Sequence, residues 1–218
     1  MTDNENKLTR RELLAVLALG LAIAGICAVV ALWPRKPPAA PPAAAMPVNP
    51  PRKLAGFTLV DRTGRTVTDA ELAGKFLVVN FAFTSCSLKC RVVNDRMADI
   101  QRLIGDAPDI CLLSLSVDPR TDTPTALSKF ADSFGADTNR WLFLTGDKIE
   151  MYRLIETSFI SRSPELAGLV PGGFAHTDKI MLVDPRGRVW ASFNGLKTNV
   201  APAVIAEIAR RRHGGVAE

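Results

Sequence analysis

The chain has 218 residues, 47% of them apolar and 22% charged, a composition that suits one globular domain with appendages and excludes disorder over most of the length. Its formal charge of +5 is carried largely by Lys7, Arg10, Arg11, Arg35, Lys36 and the terminal Arg210, Arg211 and Arg212, outside the body of the expected domain, so no nucleic-acid surface is predicted. Four cysteines are too few for a disulfide scaffold, and only Cys86 and Cys90 stand close together.

Residues 1–12 read as a short N-terminal tail. Leu13 to Trp33 then runs without a charge, and about 20 apolar residues suffice to cross a hydrocarbon core of roughly 30 Å. Residues 13–33 are therefore predicted to be a single transmembrane helix. The run is longer than the apolar stretch of about 7–15 residues in cleaved signal peptides, which favours a retained anchor. Ile26 ahead of Cys27 is not the small residue that usually precedes a lipid-modified cysteine, so Cys27 reads as membrane-buried. Asp3, Glu5 and Glu12 spoil the acid-poor pattern of a mitochondrial transit peptide. The expected location is a bacterial cytoplasmic (inner) membrane, single-pass, with the domain on the periplasmic side. Residues 34–51, PRKPPAAPPAAAMPVNPP, are expected to populate polyproline II as a semi-rigid spacer.

From residue 52 to 218 strands and helices alternate. FTLV and RTVT flank Asp61-Arg62-Thr63-Gly64, a hairpin turn, and FLVVNFAF is a continuous apolar run of the kind that forms a buried central strand. A helix is predicted from Cys90 to Ile104, with Val93, Met97, Ile100 and Ile104 on one face and Met97 in the core. ICLLSLSV is a second buried strand containing Cys111, which reads as a small hydrophobe. Thr123-Pro124 then offers an N-cap and a first-turn proline for TPTALSKFADSFG, with Asp118 and Asp122 expected to serve hydrogen bonding at this helix entry, the alternative being that they modulate the cysteine site or a partner surface. WLFLTG and DKIEMYRLIETSF continue the alternation. KIMLVDPRGRVWASF is a hairpin turned at Asp184-Pro185-Arg186-Gly187, and Val200 to Arg212 reads as the closing helix. The order, with a cysteine pair at the end of the first central strand, predicts an α/β, thioredoxin-like domain with an N-terminal hairpin.

Cys86 and Cys90 lie in TSCSLKC between strand and helix, where ligands of an open α/β sheet gather. A helix N-terminus, with Lys89 and Arg91 nearby, favours thiolates. Their four-residue separation brings both sulfurs to one side of a helical turn. Two thiolates and an imidazole form a soft, low-coordinate set matched to Cu(I), whereas zinc ordinarily takes a fourth ligand. Within the domain the imidazole candidate is His176, after the PGGFA loop and ahead of KIMLVD, where thioredoxin-like folds bring a loop to the cysteines. A loop histidine is otherwise an ordinary surface residue, as His213 in the tail is expected to be.

Three stretches, TSCSLKC, SVDPRTDTPTALSKFADSFG and FAHTDKIMLVDPRGRV, together resemble the SCO/SenC family of copper proteins of cytochrome c oxidase assembly, over roughly Gly56 to Gly195. The resemblance implies a thioredoxin-like fold with Cys86, Cys90 and His176 as copper ligands, for Cu(I) and in a second oxidation state Cu(II). It also implies cytochrome c oxidase subunit II or another copper-site apoprotein as partner, alongside other copper chaperones or thiol reductants. Family members commonly read CPxxCP, and Ser87 and Arg91 stand where those prolines would be. The implied role is a metallochaperone. The alternative is a thiol-disulfide oxidoreductase using Cys86 and Cys90 without metal. A subunit II-type binuclear copper centre is disfavoured, because Met97 matches its methionine but Asn94 replaces its histidine and the helices contradict a β-sandwich.

Overall fold

The computed structural model describes residues 43–85, 89–159 and 178–214, together with Arg11, Leu14 and Leu19. These last three are helical and belong to a separate unit, Met1–Ala40; the remaining residues of the predicted membrane helix lie outside the described ones. Among the described residues no helix is long and apolar enough to cross a membrane.

The second unit contains eight strands: β1 (Met46–Lys53), β2 (Thr58–Asp61), β3 (Thr66–Thr68), β4 (Phe76–Ala82), β5 (Ile110–Ser116), β6 (Trp141–Thr145), β7 (Lys179–Val183) and β8 (Arg188–Asn194). Its helices are α1 (Asp69–Leu72), α2 (Lys89–Ile104), α3 (Pro124–Asp132), α4 (Lys148–Ser158) and α5 (Val200–His213). The strands form one sheet in the order β1-β8-β7-β4-β5-β6-β2-β3. β4, β5 and β6 are parallel, and every other neighbouring pair is antiparallel.

The continuous apolar runs become β4 and β5 because both faces of the sheet are covered. On one side Val78, Leu112, Phe143 and Ile180 pack with Val93, Met97 and Ile100 of α2, Leu127 of α3 and Val204 and Ile208 of α5. On the other, Leu77, Val79, Cys111, Leu113 and Leu144 pack with Met151, Leu154 and Ile155 of α4 and with Leu59 and Val67 of the first hairpin. Met97 and Cys111 are core residues, and burial pushes the Cys111 thiol up to about 11. A strand flanked by helices on one face and by a helix and hairpin on the other has no solvent side to require alternation.

The end of the expected spacer behaves differently from a polyproline II segment. Met46–Lys53 forms edge strand β1, pairing Met46 with Ser192 and Lys53 with Arg188. The ladder is interrupted between Pro47 and Arg52, across the residues that include two more prolines. Polyproline II and extended strand differ by modest changes of φ, and an edge strand tolerates residues that donate nothing to a ladder.

Both hairpins turn as the sequence predicts, at Gly64 (φ 86°) and Gly187 (φ 76°), in the left-handed region glycine adopts without penalty. Each follows the pattern Asp-x-x-Gly-Arg. Asp61 accepts from the Thr63 amide at 2.8 Å, the Thr63 hydroxyl at 2.6 Å, the Arg65 amide at 3.1 Å and Arg65 Nε at 3.3 Å. Asp184 accepts from the Arg186 and Arg188 amides at 3.0 and 2.9 Å, from Arg188 Nε at 3.0 Å, and from Arg211 of α5 at 3.0 Å. β2 and β7 both run against the parallel strands, so both turns lie at the amino ends of β4–β6.

Candidate metal centre

β4 ends at Ala82, and α2 begins at Lys89 with Cys90 in its first turn, so the described flanks of the cysteine segment lie at the carboxyl end of β4. Cys90 is buried beside the packed face of α2. Cys86 and Ser87 lie outside the described residues, as does His176. Among the described residues alone, no group of three or more His, Cys, Asp or Glu side chains could hold a metal.

The described residues show how each side of the cysteine segment is fixed. Thr84, two residues ahead of Cys86, donates its amide and hydroxyl to Asp122 Oδ1 at 2.9 and 2.7 Å. The other oxygen of Asp122 accepts the Ser116 hydroxyl at 2.6 Å. Asp122 is fully buried, so three converging donors replace its hydration. Ser116 also accepts the Asp118 amide at 3.1 Å, and the Asp118 carbonyl accepts the amides of Thr121 and Asp122 at 3.0 and 2.9 Å. The loop after β5 is thereby folded back over the end of β4. Asp122 does not serve the helix entry that the sequence suggests: Thr123 caps α3 by itself, accepting the Ala126 amide at 3.3 Å.

On the other side, Asn94 donates to the Cys90 carbonyl at 2.7 Å and accepts from Asn80 of β4 at 3.2 Å. Asn80 in turn accepts the Ser114 hydroxyl at 2.6 Å, and Ser114 accepts Trp141 Nε1–H at 2.9 Å. Asn80, Asn94, Ser114 and Trp141 are all buried, and the chain of bonds joins three strands to the first turn of α2. Such a network stiffens the helix origin, because each member left alone would be an unsatisfied buried polar group. Arg91, in the position of the second family proline, places its guanidinium 5.4 Å from the Phe134 ring centroid, just beyond α3.

The chain after the histidine loop is described again from Asp178. The Gly195 amide donates to the Asp178 carbonyl at 2.7 Å. A Cβ on Gly195 would lie 2.7 Å from that carbonyl oxygen and 3.0 Å from Val93 Cγ1. Glycine is required there because β8, the start of β7 and α2 meet without room for a methyl group. The residue two positions after His176 is thus packed with the strand end that touches Val93, three positions after Cys90.

The SCO1/SenC family profile matches residues 47–212, three-quarters of the chain and all of the sheet except Met46. The chain belongs to the SCO1/SenC family. One relative, the SCO1 protein homolog of Bacillus subtilis, is 31% identical over 156 residues, covering 70% of this chain and 79% of its own. Among solved structures, BsSco, a member of the Sco family of cytochrome c oxidase assembly proteins in which a disulfide switch was identified, aligns with a TM-score of 0.62 at 26% identity. That alignment covers 78% of this chain and 96% of BsSco. ScoI of Bradyrhizobium japonicum, solved with copper bound, aligns with a TM-score of 0.57 at 28% identity, over 72% of this chain and 97% of its own. The thioredoxin-like fold is common to the family, and the α/β sheet excludes the β-sandwich that a subunit II-type centre requires.

The sequence singled out Cys86, Cys90 and His176, and Asp122 as a residue that could modulate the site, but gave no sign of the pairings among the buried polar side chains. Thr84 and Asp122 are 38 positions apart, and Asn80 and Ser114 are 34 apart. A polar residue inside an otherwise apolar run, such as Asn80 in FLVVNFAF, was the available signal.

Proposed function

We propose that this chain is a membrane-anchored copper-binding assembly factor of the bacterial inner membrane, whose cargo is held by Cys86, Cys90 and His176. The recipient is the copper centre of cytochrome c oxidase subunit II or of another copper-site apoprotein, and other copper chaperones or thiol reductants prepare the site. The observation that carries the reading is the packing of Gly195, which bonds the Asp178 carbonyl, against Val93, linking the strand that follows His176 to the first turns of the helix bearing Cys90. Two thiolates and an imidazole suit Cu(I), and the copper-bound state of ScoI from Bradyrhizobium japonicum supports copper as the metal. Cu(II) is the second state the set accommodates.

A second reading is favoured by the disulfide switch of BsSco: Cys86 and Cys90 act as a dithiol that reduces the cysteines of the recipient. The two readings separate at His176, which thiol exchange does not need. Anaerobic Cu(I) titration of the full chain against a competing chelator, with elemental analysis, is expected to give one copper per reduced protein. Uptake of none ends the copper reading. His176→Ala is expected to weaken Cu(I) binding at least tenfold while dithiol exchange persists; unchanged Cu(I) binding would remove His176 from the site.

A further inference from the structure

Asp122 is a fully buried acid whose side-chain hydrogen bonds among the described residues reach away from the helix it precedes. Two come from Thr84, which is part of the short link between β4 and the cysteine segment, and the third comes from the last residue of β5. A carboxylate that receives both the amide and the hydroxyl of one residue fixes that residue's backbone direction as well as its position. The chain leaving Thr84 reaches Cys86 two residues later, and the helix turn that bears Cys90 is held separately through Asn94.

We propose that Asp122 is a positioning residue for the Cys86–Cys90 pair, acting through Thr84 to hold the two sulfurs at the spacing that favours both Cu(I) capture and closure to a disulfide. The proposal rests on the pair being the reactive site. Closure removes two electrons and two protons from the thiols; glutathione disulfide accepts them, one S–S bond forms in the chain, and two glutathione molecules leave. Loosening Thr84 lowers the effective concentration of one sulfur at the other and disfavours closure and shared metal ligation alike.

The test uses the full chain in detergent, equilibrated with defined glutathione ratios and trapped by alkylation, with Cu(I) affinity measured in parallel. Asp122→Asn is expected to shift the equilibrium at least tenfold toward the dithiol, about 30 mV for this two-electron couple, and to weaken Cu(I) binding at least tenfold. Thr84→Val is expected to move both in the same direction by at least threefold, and Thr84→Ser, which keeps both donors, to stay within twofold of wild type. Asp61→Asn, which loosens a buried carboxylate at the opposite end of the sheet, is expected to lower stability with both readouts within twofold. An Asp122→Asn protein within twofold of wild type in both readouts overturns the proposal, as does an equal shift in Asp61→Asn. Should Asp122→Asn fail to fold, the contrast between Thr84→Val and Thr84→Ser decides. A wild-type chain that binds no Cu(I) sinks the copper reading alone and leaves the glutathione equilibrium to judge Asp122. A pair that neither binds Cu(I) nor equilibrates with glutathione overturns both.

Discussion

The two ends of the sheet are held by different chemistry. At the amino ends of β4–β6, arginines join elements that are distant in the chain: Arg62 pairs with Asp132 and reaches the Ala136 carbonyl, Arg211 with Asp184, Arg212 with Asp109, and Arg140 with Asp106. At the carboxyl ends, the holding groups around the cysteine segment are hydroxyls, amides and the single carboxylate of Asp122. The difference is one of directionality. Charge pairs tolerate variation in geometry and are suited to clamping, whereas short, directional hydrogen bonds fix atomic positions. Stability is therefore expected to depend on the amino end and reactivity on the carboxyl end.

The largest effect that would sharpen this division is at Asp184. Asp184→Ala leaves Arg188 and Arg211 without their buried partner and is expected to cost about 3 kcal/mol of unfolding free energy by denaturant titration, with the Cu(I) affinity of the folded protein unchanged. A matching loss of affinity would break the comparison. Gly195→Ala comes next. Its methyl group has no room between the Asp178 carbonyl and Val93, so a cost of about 1–3 kcal/mol is expected. Unlike Asp184→Ala, it is also expected to weaken Cu(I) binding at least fivefold.

The amino end also predicts the acid response. Burial alone would push the Asp184 carboxyl up, but hydrogen bonds from the Arg188 amide and from Arg211 and Arg188 side chains outweigh it and hold the pKa below its ordinary 3.8. Asp61 behaves alike, its burial outweighed by bonds from Thr63 and Arg65. A lowered native pKa gives stabilisation that is complete above the unfolded value and lost as pH falls through the native one. Stability should therefore drop as pH falls below about 4, and Asp184→Asn should flatten that drop in pH-dependent denaturation curves. The smallest effect is expected at Cys111. Its thiol, pushed up to about 11 by burial, should resist alkylation in the folded chain, and Cys111→Ala should leave the glutathione equilibrium within twofold of wild type. Rapid labelling of Cys111 would show that the strand beneath the site opens.

The same division explains what the sequence reveals. Elements that depend on local pattern were legible: the apolar runs of β4 and β5, the three- and four-residue spacing of α2, the Thr123-Pro124 helix entry and both Asp-x-x-Gly turns. Cys86 and Cys90 stand out in the sequence because cysteines are rare in it and these two lie four residues apart. For Asp122 sequence proximity favours its own helix entry over a role at the site, whereas its side chain bonds to Ser116 and to Thr84, the latter brought near by the parallel pairing of β4 and β5. Gly195 carried no sign at all, since the lack of space that demands glycine comes from Asp178 and Val93. β1 was hidden for another reason: its prolines satisfy polyproline II equally well, and only the free edge of β8 selects the extended ladder.

That edge strand has a mechanical consequence. β1 enters beside Ser192, at the carboxyl end of the sheet where the cysteine segment begins, and runs to Arg188 at the opposite end. A pull on the chain ahead of Met46, directed along the strand and resisted by the rest of the sheet, loads the β1–β8 bonds in shear, sharing the force among them. A pull across the sheet instead peels the strand, starting with the pairing of Met46 and Pro47 and reaching Arg52 and Lys53 only after the break between them. The domain is thus stiff to tension along β1 and compliant to tension across it, and peeling starts at the carboxyl end of the sheet.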